Sequence, residues 1–224
     1  MLLVGFDTAT PAVSVALHDG ERVVAQAFAV DARRHSELLM PMIAKVMADA
    51  GVSRGDLGAV AVGVGPGPYT GLRVGVVTAR VLGSVLGLPV SGVCSLDVIA
   101  AAAAAARPGR EFLVATDARR REVYWARYDA AGRRVAGPHV GPASSIPGAA
   151  DLAVAGSGGQ LYPEAFAEVT GPAYPDAATL CRLVAGARAD EPATARPALL
   201  PAEPLYLRRP DAREPGPPKR VTPV

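Results

Sequence analysis

A row of small residues repeating every four positions constrains this chain more than any other feature. The stretch from Ala59 to Gly87 opens as a valine-rich apolar run, breaks at Gly65-Pro66-Gly67-Pro68, and resumes with apolar residues at helical spacing, the pattern of strand, turn and helix. Within that helix Gly71, Gly75, Ala79, Gly83 and Gly87 share one face. An interior glycine costs a helix about 1 kcal/mol relative to alanine, so the row implies the close approach of another backbone. Two neighbours fit: the chain's own sheet, or a helix of another subunit. Leu72, Val76, Val77, Leu82 and Leu86 supply apolar surface beside the row, and Thr70 is placed to cap the first turn through its hydroxyl.

The same glycines do not form a phosphate loop. A P-loop ends in Gly-Lys-Ser/Thr, whereas this one ends Tyr69-Thr70-Gly71, and Gly63, Gly65 and Gly67 do not make a G-x-G-x-x-G run. Pro66 and Pro68 remove two amide donors that a phosphate would use.

The rest of the chain reads as a repeat built around strands. Residues 2–7, 13–17 and 22–28 are strands in meander order, with Asp19-Gly20 as a hairpin turn. Residues 36–50 carry Leu39, Ile43, Val46 or Met47, and Ala50 on one helical face, with Gly51 as a stop and Pro41 expected in the first turn or at a kink. After the central strand and helix come a strand at 88–93 and an alanine-rich helix at 95–107. The order β-β-β-α-β-α-β is that of a ribonuclease-H-like half, a mixed sheet flanked by helices. A second, thinner half begins with strands at 111–116 and 122–129 around Asp117 to Arg121, followed by a strand at 152–155, the glycines Gly156, Gly158 and Gly159, and a helix at 177–188. The expected division is a first half over 1–107, a reduced second half over 108–208, and a mobile, proline-rich tail over 209–224.

Of the 224 residues, 50% are hydrophobic, enough for a substantial core, and a net charge of +2 argues against a broad nucleic-acid surface. Cys94 and Cys181 lack metal or redox spacing and read as small core residues in a reducing compartment. With no signal-like start and no unbroken apolar span, the expected localisation is cytoplasmic, with no membrane association.

GFDTAT at 5–10, RRHSELLMPMI at 33–43, GVGPGPYTGLRVG at 63–75, TDARRREVYWARY at 116–128 and PLYLR at 204–208 resemble the TsaB family, also called YeaZ. Pro68 and Tyr69 depart from its commoner serine and phenylalanine. The resemblance implies an α/β fold of two tandem ribonuclease-H-like halves, in the actin, sugar-kinase and Hsp70 superfamily. It also implies a noncatalytic, dimerising subunit required for threonylcarbamoyladenosine at position 37 of tRNAs that read codons beginning with adenine. Its partners would be a catalytic TsaD paralogue and the ATPase TsaE, with tRNA reached through the complex and not by this chain alone. It favours another subunit as the neighbour of the small-residue row, giving an interface of His35, Leu39, Ile43, Gly71, Arg73, Val74, Gly75, Thr78, Ala79 and Leu82.

Two rival activities can be weighed against the residues. A metallopeptidase would use a His-x-x-x-His pair, in which i and i+4 put both rings on one helical face. Four residues after His35 stands Leu39, and His18 and His139 lie in or beside hairpins, so no metal site is expected. His35 itself reads either as a ring bonded to a nearby carbonyl or as a partner contact. A phosphotransferase would use an aspartate at the end of the first strand and glycine loops around phosphate. Asp7, Thr8 and Thr10 keep the acid and hydroxyls without the loop glycine, and the matching turn Asp117 to Arg121 has none either. Gly156, Gly158 and Gly159 stand where such folds approach adenosine. No cofactor is therefore required; the glycines read equally as a plain turn, and any weak adenine-nucleotide binding that remained would fall to Asp7, Thr8, Thr10 and these glycines.

Overall fold

The structure is a computed structural model that describes residues 1–106, 109–188 and 198–208. The proline-rich tail from 209 onward lies outside the described residues, as does the expected boundary at 107 and 108.

The first sheet holds β1 (Leu2–Asp7), β2 (Ala12–His18), β3 (Val23–Val30), β4 (Leu57–Gly63) and β5 (Val90–Val93) in the order β3-β2-β1-β4-β5. β1 and β2, and β2 and β3, pair antiparallel; β1, β4 and β5 run parallel. The later two strands of the parallel trio are each reached through a helix: α1 (His35–Asp49) precedes β4 and α2 (Tyr69–Leu86) precedes β5. β1 and β2 are buried along nearly their whole length, which is why LLVGFD reads as an unbroken apolar run.

The second sheet repeats this plan. β6 (Phe112–Asp117), β7 (Val123–Tyr128), β8 (Arg134–Gly141), β9 (Ala153–Ala155) and β10 (Glu168–Val169) lie in the order β10-β9-β6-β7-β8, with the same mixture of antiparallel and parallel pairing. The half is thus complete in strands and reduced in helices: short 3₁₀ turns stand where the first half has α1, and α4 (Ser157–Leu161) is a five-residue counterpart of α2. β8 and β10 are additions to the sequence reading. Gly137-Pro138 and Gly141 disguise β8 as loop, and β10 has only two residues.

The two halves exchange their last helices. α3 (Ser95–Ala106) follows the first sheet but packs on the second, where Leu96, Ile99, Ala100 and Ala103 meet Phe112, Val114, Ala126 and Tyr128. Tyr128 Oη donates to buried Asp97 at 2.8 Å, and Arg134 stands 3.5 Å from the same carboxylate. α5 (Ala177–Arg188) follows the second sheet but packs on the first, where Leu180, Cys181 and Val184 meet Leu3, Ala16, Ala59 and Ala61. A cut at 107 and 108 therefore does not separate two independent cores, because each half of the sequence closes the other's sheet. Cys94 and Cys181 are buried core residues, and burial pushes the Cys94 thiol up to about 12.

One local expectation is corrected. Thr70 does not cap α2: the helix begins at Tyr69, Pro68 holds the N-cap position, and no side chain caps it. Of the two places expected for Pro41, the first turn of α1 is ruled out: it lies further inside the helix, on its exposed side.

Candidate functional site

The small-residue row faces inward. Gly71, Gly75, Ala79 and Gly83 are buried within the chain. A methyl group on Gly71 would stand 2.8 Å from the Thr8 carbonyl oxygen, and one on Gly75 would stand 2.5 Å from Thr8 Oγ1. One on Gly83 would collide with Val90 of the adjacent β5. The Thr8 hydroxyl donates to Gly71 O at 2.7 Å and accepts from Gly75 N at 3.0 Å, so it enters the i to i−4 pair of the helix itself. That insertion requires bare backbone at both positions. Gly71 and Gly75 meet the chain's own first turn and Ala79 is buried in its core, so the expectation that these three meet another subunit is corrected accordingly.

Leu39 and Ile43 are likewise in the core, on the α1 face that covers β2, and are not available to a partner. His35 is buried, and its Nε2 lies 2.7 Å from the Thr10 carbonyl oxygen, the first of its two sequence readings. Leu82 and Val74 pack partly against the same core. Arg73 is exposed and Thr78 half-buried. The outward face of α2 is instead a row of which the sequence reading named only Val77: Val77, Val81 and Val85 are 50%, 53% and 75% exposed at successive i+4 positions. On the adjoining α1, Met40 is 49% exposed.

The ends of β1 and β4 hold the residues that the sequence reading compared with a phosphate site. Asp7 is fully buried. It accepts from Ser95 Oγ at 2.6 Å and from Ala9 N at 2.7 Å, and Gly63 packs so closely on its carboxylate that no side chain would fit there. Burial dominates these hydrogen bonds and raises its pKa to about 6. Ser95 Oγ in turn accepts from Gly65 N at 3.1 Å, while Gly67 lies directly against the Ala9 carbonyl. The glycine-proline loop thereby covers the turn after β1. Thr10 Oγ1 accepts from Ala12 N at 3.3 Å.

The second half is closed in the same way. Gly156 N donates to Pro172 O, Ser157 N to Ala173 O, and Gly159 N to Gly156 O. Gly156 and Gly158 press on Ala115, and Gly159 presses on Val154 and Val169. In the turn matching Asp7 to Thr10, Arg119 N donates to Asp117 Oδ1 at 2.7 Å and Ala118 N to Glu122 O at 3.0 Å. Phosphate recognition at such turns depends on free backbone amides, and here the chain's own acceptors hold those of Ala9, Ala118, Arg119, Gly156, Ser157 and Gly159. Among the described residues no three histidine, cysteine or acidic side chains gather as metal ligands. A cavity of about 270 Å³ remains between the halves, lined by Thr8, Thr10, Arg33, His35, Tyr69 and Arg119, among others.

Two like-ordered mixed sheets that exchange their closing helices define a protein of the actin and sugar-kinase type, here with both phosphate turns engaged internally. A family model described as TsaD, tRNA N6-adenosine threonylcarbamoyltransferase, matches residues 23–159. YeaZ from Pseudomonas aeruginosa superposes with a TM-score of 0.75 at 31% identity, over 92% of this chain and 99% of that chain. An uncharacterized protein of Mycobacterium tuberculosis is 46% identical over 220 residues, 94% of this chain and 93% of that protein. The tRNA threonylcarbamoyladenosine biosynthesis protein TsaB of Escherichia coli is 39% identical over 128 residues, 57% of this chain and 55% of that protein. This chain belongs to the TsaB (YeaZ) family of TsaD-like proteins. No helix among the described residues is long and apolar enough to cross a membrane.

Proposed function

We propose that this chain takes part in tRNA threonylcarbamoyladenosine biosynthesis as a noncatalytic subunit, acting with a TsaD paralogue and a TsaE-type ATPase. The observation that carries the reading is the self-engagement of both turns that would hold phosphate: Asp7 is buried beneath Gly63 and Ser95, and the amides beside Asp117 and Gly156 donate to the chain's own oxygens. A catalytic phosphotransferase needs those groups free. The His35 ring, turned to a carbonyl and followed by buried Leu39, supports the same conclusion against a metallopeptidase.

The docking face is the valine row of α2, shared between a homodimer and the TsaD paralogue, with Arg73, Val74 and Thr78 at one end. Three exposed valines on one helix make an apolar strip that association would cover. Reconstitution tests the proposal. The purified chain, given tRNA and threonylcarbamoyl-adenylate, forms no modified nucleoside, and product appears when the TsaD paralogue and the ATPase are added. Modification by the isolated chain, or ATP turnover with a small-molecule acceptor, would overturn it.

A further inference from the structure

Residues 198–208 run as a strap from the first half to the second. Leu200 exchanges two backbone hydrogen bonds with Gly92 of β5, at 2.7 and 2.8 Å, and Gly92 is small where Pro201 and Leu200 press on it. Leu205 N then donates to Val64 O at 2.8 Å, and Leu200 packs against the cores of both halves. Tyr206 stacks on Tyr69, the first residue of α2, with ring centroids 5.4 Å apart. The strap reaches the tip of the β6–β7 hairpin through Arg208, which donates to Ala118 O at 3.0 Å and forms an ion pair with Glu122.

Between those two anchor points lie three successive residues in the left-handed region: Arg119, Arg120 and Arg121, with φ of 61°, 56° and 62°. A side chain makes that region unfavourable, and a run of three without glycine or asparagine persists only where surrounding contacts over-determine it. Arg208 supplies such contacts on both flanks at once. The result places Arg119 in the wall of the inter-half cavity, which Arg33 of the first half also lines.

We propose that Arg208 is a positioning residue: the strap latches the arginine hairpin in its left-handed form, and so sets the charge that the second half presents to the cavity. Losing Arg208 releases the turn, and Arg119 leaves the cavity wall while both sheets stay intact. Lysine replaces it only in part, because one ammonium does not span the Ala118 carbonyl and the Glu122 carboxylate as a guanidinium fork does.

Hydrogen exchange on the full chain tests this. In Arg208→Ala, exchange of the Ala118 and Glu122 amides should rise at least tenfold, with new tryptic cleavage after Arg119 to Arg121, while exchange in β1, β4 and β6 is unchanged. Arg208→Lys and Glu122→Gln should show the same local change in smaller degree. In an Arg120→Gly background, where the strain is partly relieved, Arg208→Ala should raise exchange by less than about threefold. Unchanged hairpin exchange in both Arg208→Ala and Glu122→Gln would overturn the proposal. So would a rise of equal size throughout the protein, and so would an Arg208→Ala effect of full size in the Arg120→Gly background.

Discussion

Gly75→Ala is the substitution whose sign separates an inward-facing row from an outward-facing one. At an open helical position this change stabilises by about 1 kcal/mol. At Gly75 the new methyl would stand 2.5 Å from Thr8 Oγ1, an atom fixed by bonds of 2.7 Å to Gly71 O and 3.0 Å from Gly75 N. Displacing it sacrifices two hydrogen bonds worth about 1 kcal/mol each and adds overpacking of about 1–3 kcal/mol. Against the gain in propensity the net is a loss of about 3 kcal/mol, or a midpoint roughly 6–12 °C lower in a chain of this size. Thermal unfolding followed by circular dichroism measures it. The double mutant sharpens the test: once Thr8→Ala has removed the hydroxyl, Gly75→Ala should cost at least about 1.5 kcal/mol less than it does alone. A raised midpoint for Gly75→Ala, or additive effects of the two changes, would refute the inserted hydroxyl as the reason for the glycine.

Two further outcomes follow from the same geometry. Because burial raises the Asp7 pKa to about 6, the folded chain keeps that proton at a pH where the unfolded chain has released it. Stability from this group is therefore present below the unfolded pKa near 4 and is lost as pH rises through 6, by about 1 kcal/mol between pH 5 and 7; denaturant titrations should show that slope flattened in Asp7→Asn, and an equal slope in both proteins contradicts the assignment. Val81→Arg, at a half-exposed outward position, should change stability by less than about 0.5 kcal/mol yet abolish the dimer that the proposed function expects of the unaltered chain in light scattering, and an unaffected dimer would remove the valine row from the interface.

The sequence carried most of the first sheet because its signals are local. Apolar runs, the Asp19-Gly20 turn and helical periodicity each lie within a few residues of the structure they specify. It also located the decisive helix and the need for close approach along it. It did not reveal which surface approaches, since that depends on Thr8, more than sixty residues away, whose hydroxyl has no signature as an intruder into a helix. The family resemblance set the small-residue row against another subunit, whereas the row packs within the chain. The exchange of α3 and α5 was hidden for a related reason: alanine-rich faces such as those of 95–106 and 177–188 suit either sheet, so periodicity alone does not assign them. At the candidate site the missing loop glycines were legible. The closing contacts, Gly67 on Ala9 and Gly156 on Ala115, join segments distant in sequence and needed the fold to be seen.

The central claim is that the chain is needed for the modification through its surface and contributes no chemistry through the turn after β1. Mass spectrometry of tRNA nucleosides after depletion of the protein, with complementation, tests it most directly. Threonylcarbamoyladenosine should fall on depletion, return with the unaltered chain and with Asp7→Asn, and stay low with Val81→Arg. Full recovery with Val81→Arg, or failure of a stably folded Asp7→Asn, would contradict the account.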